Sequence, residues 1–400
     1  MSEFSKRVSV MANEVKNLKV LTESLVSPDI ISFAGGAPAK EAYPFKIIGD
    51  IAKEVFQPDA RGFGSVVYGT TMGVVALREA VRDILLKPRG LDVDIDNIMI
   101  TAGGIQPINM LCQLFIDPGD TILVETPTFV HTSMIYKMFQ ANLVPCEMDD
   151  DGLVIADVEA KIKKYHPKMI YTVPTFQNPT GITITEERRK KLAEKAREYD
   201  FWILEDNPYG ELWYDCQPPK PIRCYAPERT LTMGTFSKVL SPGFRLGYII
   251  GPKAALDPLT TIKQAVDLHT STFTQLISAR CLDEGLMKTH MPDVRALYRT
   301  QCHCMLDALE RYFPEDTTWT KPDGGMFIWV TLPEYINTDD MMKEALDRKV
   351  AYVPSSAFYA NEPKFNQMRL SFVTVPPEKI DQGVKVLAEL VKEKMAAHNA

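Results

Sequence analysis

Short apolar runs that end in polar turns and lead into helix-forming stretches recur along this chain. That alternation limits the folds open to it. Thr121-Ile122-Leu123-Val124 is one run, Met169 to Val173 another, Phe201-Trp202-Ile203-Leu204 a third, and Glu186 to Tyr199 is a helical stretch between the last two. Strands that alternate with helices form a mainly parallel sheet covered on both faces, because parallel neighbours need a crossover connection. The expected class is α/β. With 400 residues and 45% hydrophobic content, the chain can build two domains or one very large one. The texture changes near residue 285. A helix around Thr260 to Glu284 leads into Met291-Pro292, then long amphipathic helices with few strands, among them Met326 to Val330.

In open α/β sheets ligands bind outside the carboxyl ends of strands, and several runs here end in residues with chemistry to offer. Lys238 stands in Gly234-Thr235-Phe236-Ser237-Lys238, with Arg245 seven residues on. Partial burial and a neighbouring cation both favour a neutral lysine amine, which can form a Schiff base with a carbonyl. The hydroxyls of Thr235 and Ser237 with the Arg245 guanidinium could hold a phosphate. A carbonyl-trapping lysine beside a phosphate cup is what pyridoxal 5'-phosphate requires. The plainer alternative is one more surface lysine, the usual place for that residue.

Asp206 ends the third run, before Asn207-Pro208-Tyr209-Gly210. A carboxylate there could keep a pyridinium nitrogen protonated, and Tyr209 could hydrogen-bond the ring hydroxyl. Asp206 could equally be a turn or cap residue. Asn178, in Gln177-Asn178-Pro179-Thr180-Gly181, follows the second run and could donate to the ring oxygen, though this sequence is also a common turn. Ile98 to Thr101 runs into Gly103-Gly104-Ile105, and a helix opens with Pro107 in its first turn. Unpaired amides at a helix start make an anion site. The pattern is neither G-x-G-x-x-G nor a Walker loop. Arg369 interrupts the strand-like run Asn366 to Phe372. It reads either as a bidentate clamp on an α-carboxylate or as a structural ion pair, since an unpaired buried charge is costly.

Taken in order, these segments resemble the fold type I pyridoxal-phosphate enzymes, class I/II aminotransferases, and within them the 2-aminoadipate/kynurenine aminotransferase-like branch. The likeness runs from about Ile31 to Val375, through Phe33-Ala34-Gly35-Gly36-Ala37-Pro38, Tyr68-Gly69, Gly103-Gly104, Pro127-Thr128-Phe129, Asn178-Pro179-Thr180-Gly181, Asp206-Asn207-Pro208-Tyr209, Ser237-Lys238, Arg245-Leu246-Gly247 and Arg369. It implies a mainly parallel seven-stranded-type sheet in a large domain, residues 46–285, and a smaller α+β C-terminal domain, residues 286–400. An N-terminal arm, residues 1–45, would pack with the small domain.

The resemblance also implies roles. Lys238 is the Schiff-base lysine and proton shuttle, and Asp206 pairs with the pyridine nitrogen. Asn178 and Tyr209 hold the ring oxygen, and Phe129 stacks on the ring. The Gly103-Gly104-Ile105 turn, Thr235, Ser237 and Arg245 hold the phosphate. Tyr68 reaches the phosphate of a neighbouring subunit, which implies a homodimer with active sites at the interface. Arg369 takes the substrate α-carboxylate, and Gly36 lines the substrate pocket. Two positions depart from the family pattern. Phe129 stands where tyrosine is frequent, so stacking survives and a phenolic hydrogen bond does not. Lys16 stands where the branch often has arginine, keeping the charge for a distal substrate carboxylate but not the planar fork.

The activity implied is transfer of an amino group from an L-amino acid of 2-aminoadipate, glutamate or aromatic type to a 2-oxo acid such as 2-oxoglutarate. A C–S β-lyase on the same cofactor would share these motifs, because it shares the first proton abstraction. A ligand-sensing domain of a transcription regulator is a further alternative. Regulators of that kind carry a basic winged-helix module ahead of this fold, and residues 1–30 are too short for one.

Net charge is −7, and no basic run points to nucleic acid or an anionic membrane. No apolar stretch reaches the ~18 residues of a spanning helix, and the first residues lack a signal-type apolar core. Seven scattered cysteines suit a reducing compartment, so a cytoplasmic protein is expected. Cys302-His303-Cys304 has no second ligand pair at finger-like spacing and reads as ordinary helix residues, so no metal is expected.

Overall fold

A computed structural model describes residues Ser5, Arg7, Val8 and Asp29 to Asn399, the side chains of Ala60 and Arg61 excepted. Lys16 and most of the expected arm lie outside the described residues.

The main sheet has eight strands in the order Ile98–Thr101, Gly247–Ile250, Thr230–Thr235, Trp202–Asp206, Met169–Thr172, Thr121–Thr126, Asn142–Asp149 and Gly152–Leu153. Seven are full strands, and Gly152–Leu153 is a two-residue addition that turns back antiparallel on Asn142–Asp149. Gly247–Ile250 runs antiparallel to both its neighbours, while the pairings from Thr230–Thr235 across to Asn142–Asp149 are parallel. The sheet is mainly parallel, as the βα alternation predicts. Ile98–Thr101, at one edge of the sheet, and Met169–Thr172, inside it, are buried along their whole length, which is why both read as continuous apolar runs rather than alternating ones.

A second, four-stranded antiparallel sheet, in the order Thr318–Trp319, Phe327–Thr331, Gln367–Ser371, Val353–Pro354, shares a hydrophobic cluster with the long helices Met291–Tyr312 and Pro377–His398, which pack on each other. Ile31–Ser32 pairs in parallel with Val350–Ala351, so the chain just before the main sheet joins the C-terminal elements. One hydrophobic cluster runs through both regions, from Ile98 and Met233 to Phe327 and Leu387.

The stretch read as one helix around Thr260 to Glu284 is two, Lys253–Val266 and Thr272–Asp283. At the break, Asp267 and Thr270 turn their oxygens onto Lys263 instead of continuing the helix. Cys302-His303-Cys304 lies inside the Met291–Tyr312 helix. Among the described residues no group of three or more His, Cys, Asp or Glu side chains could hold a metal ion, and no helix is long and apolar enough to cross a membrane.

Candidate active site

Five strands of the main sheet deliver their carboxyl ends to one cavity of about 390 Å³, within the usual size range of small-molecule sites. Thr235, Ser237 and Lys238 enter from Thr230–Thr235, Asp206 and Tyr209 from Trp202–Asp206, and Asn178 from the segment after Met169–Thr172. Gly104 and Ile105 come from the turn after Ile98–Thr101, and Phe129 from the loop after Thr121–Thr126. Arg369 and Phe327 enter from the C-terminal sheet, and Gly36 from the segment after Ile31–Ser32.

Lys238 occupies the middle. Its Nζ donates to the Gly36 carbonyl at 2.6 Å. Burial, with Arg369 and Arg245 nearby, lowers its pKa to about 8, so a useful fraction of the amine is neutral near physiological pH. Asp206 is 9% exposed and accepts one hydrogen bond, from the Tyr171 hydroxyl at 2.8 Å. Burial pushes its pKa up to about 7, against the pull of the Tyr171 bond. A carboxyl in that state lacks a cationic donor, and a protonated ring nitrogen is one.

At one end the groups suit an anion. Thr235 Oγ1 donates to Ser237 Oγ at 3.0 Å and accepts from the Ser237 amide at 3.2 Å. Arg245 lies beside them, and the Ile105–Phe115 helix starts there with free amides. Gly103 does not line the cavity. It has φ +76°, and a Cβ built on it would come within 2.5 Å of Arg245 Nη2. Its part is therefore to let the turn lie against that guanidinium.

At the other end Asn178 joins two groups. Its Nδ2 donates to the Tyr209 hydroxyl at 3.4 Å, and its Oδ1 accepts from Arg369 Nη1 at 2.9 Å. Arg369 Nη2 donates to the Ala34 carbonyl at 2.7 Å, while Nε is buried without a partner. Its guanidinium carbon lies 4.2 Å from the centre of the Phe327 ring and 5.1 Å from that of Phe358. Burial lowers its pKa to about 10, with the Tyr209 hydroxyl acting in the opposite direction. Among the described residues no carboxylate pairs with Arg369. A structural ion pair, the alternative left open by the sequence, is absent there. A buried cation held by a carbonyl, an amide oxygen and two ring faces is arranged to receive an anion.

Two expected residues stand apart. Tyr68 is 85% exposed and does not line this cavity; it packs edge-on against His269. Lys16 is outside the described residues. Gly36 does line the cavity, but a Cβ there would meet only ordinary contact with Phe327 at 3.8 Å.

Several participants went unread in the sequence. Tyr171 lies inside the strand Met169–Thr172, and its signal is a buried phenolic hydroxyl that needs a polar partner. His131 lines the cavity beside Phe129, with ring centres 5.1 Å apart, and burial together with Arg369 lowers its pKa. Glu125 is fully buried and accepts from Thr172 Oγ1 at 2.5 Å, the Val173 amide at 3.0 Å and Gln177 Nε2 at 3.0 Å. Gln177 Oε1 in turn accepts from the Thr180 amide at 2.8 Å. Glu125 thus braces the turn that carries Asn178.

A buried carboxyl, an amine of lowered pKa and an anion cup, placed around one cavity, fit pyridoxal phosphate. Comparison with known proteins agrees. The family model "Aminotransferase class I and II" matches residues 34–387. The chain is 42% identical to aromatic-amino-acid aminotransferase 1 of Thermococcus litoralis, over 98% of this chain and 94% of that protein. It is 31% identical to the 2-aminoadipate transaminase of Thermus thermophilus, over 97% and 96%. The solved kynurenine aminotransferase of Pyrococcus horikoshii superposes with a TM-score of 0.92 at 42% identity, covering 98% of this chain and 97% of that one. The chain belongs to the class I and II aminotransferases and is a pyridoxal-phosphate-dependent transaminase of fold type I.

Proposed function

We propose that this transaminase takes its amino group from an L-amino acid of aromatic, 2-aminoadipate or glutamate type and gives it to 2-oxoglutarate. The observation that carries this reading is the wall of the cavity beside Arg369. Phe327, Phe358 and His131 line it, a surface that suits a ring or a long aliphatic chain. The names of the relatives, aromatic-amino-acid aminotransferase and 2-aminoadipate transaminase, point the same way. Lys16, on sequence alone, is the residue offered to a distal carboxylate.

The residues divide the work as follows. Arg369 takes the α-carboxylate of donor and acceptor alike. Bound pyridoxal phosphate supplies an aldehyde that accepts the amino group and a ring that delocalises the electron pair left on the α-carbon. Asp206 keeps a proton on the ring nitrogen, and Tyr171 orients Asp206. Asn178 and Tyr209 hold the ring oxygen, and Phe129 covers the ring face. Gly104, Ile105, Thr235, Ser237 and Arg245 hold the phosphate. Lys238 Nζ would hold the cofactor at rest through its aldehyde carbon; once released, the neutral amine would take the substrate α-proton and pass it to that carbon. A placed base of this kind contributes roughly 10²–10⁴-fold in rate.

The same reading extends to assembly. Phe56 (63%), Phe63 (68%) and Val66 (62%) are exposed close before Tyr68, and Leu268 is exposed beside His269, whose ring Tyr68 meets. An apolar patch of this kind suits a subunit interface. We assign it to a homodimer in which Tyr68 reaches the phosphate of the neighbouring subunit. Residues 46–285 are taken as the large domain and 286–400 as the small one. Seven free cysteines support a cytoplasmic location.

The test is a half-reaction with purified holoenzyme. Each of 2-aminoadipate, glutamate, kynurenine and phenylalanine is added alone, and the visible cofactor band is followed. At least one should abolish the band, and 2-oxoglutarate should restore it. Loss of the band only with cysteine conjugates, accompanied by pyruvate and ammonia, would replace transamination with β-elimination.

A further inference from the structure

The turn that forms the anion end of the cavity is gripped from behind by an ion pair whose lysine is fully buried. Lys263, near the end of the Lys253–Val266 helix, has no solvent exposure. Its Nζ donates to the two carboxylate oxygens of Asp267 at 2.8 and 2.9 Å, to Thr270 Oγ1 at 3.0 Å and to Gln106 Oε1 at 3.0 Å. Gln106 is the second residue of the Ile105–Phe115 helix. Its Oε1 also accepts from the Ala102 amide at 2.8 Å, and its Nε2 donates to Asp267 Oδ2 at 2.6 Å. Ala102 immediately precedes Gly103-Gly104. Gly103, the next residue, rests against Arg245. The turn is therefore held at two successive residues.

Stability alone does not account for this network. The Asp267 side chain keeps 25% of its exposure, and partly exposed ion pairs of this kind add little to stability. Burial lowers the Lys263 pKa while Asp267 raises it, so the charge is kept at a cost. None of Lys263, Asp267 and Gln106 lines the cavity. What the network visibly does is hold one Gln106 rotamer and one orientation of the Ala102 amide, which sets where the next amides point. The same loop reaches further, because the Gly69 amide donates to His269 Nε2 at 3.2 Å, next to Tyr68.

We propose that Lys263, Asp267 and Gln106 are positioning residues for the cofactor phosphate, fixing the Ala102–Ile105 turn so that its amides face that group. The proposal rests on the reading that the phosphate sits at this turn. Its test compares two ligands that differ only there. The full-length protein, freed of cofactor, is titrated with pyridoxal phosphate and with pyridoxal, and binding is read from the visible band. Two variants are used: Gln106→Met, which leaves the ion pair in place, and a double variant carrying Lys263→Met with Asp267→Asn. Affinity for pyridoxal phosphate should fall tenfold or more in both, while affinity for pyridoxal stays within twofold of the parent. Equal losses for both ligands would mean a general structural role and overturn the proposal, as would an unchanged ratio. If the parent protein itself does not prefer the phosphorylated ligand, the placement of the phosphate fails. If the parent prefers it and the variants keep the same ratio, only the positioning role fails.

Discussion

Arg369 Nη1 donates to Asn178 Oδ1 at 2.9 Å, and this one bond ties the C-terminal sheet to the main sheet at the cavity. The residue expected to read the substrate carboxylate is therefore joined to the residue expected to hold the cofactor oxygen. Asn178 also reaches Tyr209 at 3.4 Å, so the substrate and cofactor subsites share a hydrogen-bonded chain. Displacing either end should be felt at the other.

Removing Arg369 should weaken every substrate, because donors and acceptors share an α-carboxylate. Truncating one partner of a buried charge pair costs roughly 2–5 kcal/mol, which is about 30-fold to several thousand-fold in kcat/KM. Steady-state kinetics of Arg369→Ala should show that loss for amino acids and 2-oxo acids together. A loss confined to dicarboxylic substrates would mean that Arg369 reads the side chain instead.

Asp206 supports two predictions. In holoenzyme, Asp206→Ala should retain cofactor but lose most turnover, since the ring nitrogen no longer keeps its proton; parental turnover in a loaded variant would end this assignment. In cofactor-free protein the pH dependence of stability should change. Its pKa is about 7 in the folded chain and ~3.9 in an unfolded one. Between those values the folded state holds the extra proton, so this contribution to stability is full below pH ~4 and is lost as pH rises through about 7. The loss is at most about 4 kcal/mol, from roughly three pKa units. Melting curves at pH 5 and 7 should separate less for Asp206→Asn than for the parent. Equal separations would assign the titration elsewhere.

Tyr68 is exposed in one chain and should not be so in the assembly. Light scattering should give a dimer, and Tyr68→Phe should release cofactor faster on dilution. A monomer with full activity at assay concentration would remove this part of the account.

Most of the candidate site was legible because its residues sit where apolar runs stop. Asp206 closes the run Phe201 to Leu204 and Asn178 follows Met169 to Val173, and the polar break marks the ligand edge of a parallel sheet. What stayed hidden depends on contacts across the sequence. Tyr171 acts through a neighbouring strand, Glu125 through Gln177, and Phe358 through the guanidinium of Arg369, on the strand paired with Val353–Pro354 just before it. The break at Asp267 was missed for the same reason: the helical pattern continues through it, and only the buried Lys263 explains the turn. Tyr68 was named by resemblance, and no local pattern would have singled it out.

The direct measurement of the central claim is the site of cofactor attachment. Holoenzyme is reduced with borohydride, digested and mapped by mass spectrometry, while the rate of cofactor loading is followed against pH. The account predicts a phosphopyridoxyl group on Lys238, and a loading rate that rises with a midpoint near pH 8, the pKa of its buried amine, rather than near the ~10.4 of an exposed lysine. Attachment to any other lysine, or no attachment at all, would contradict it.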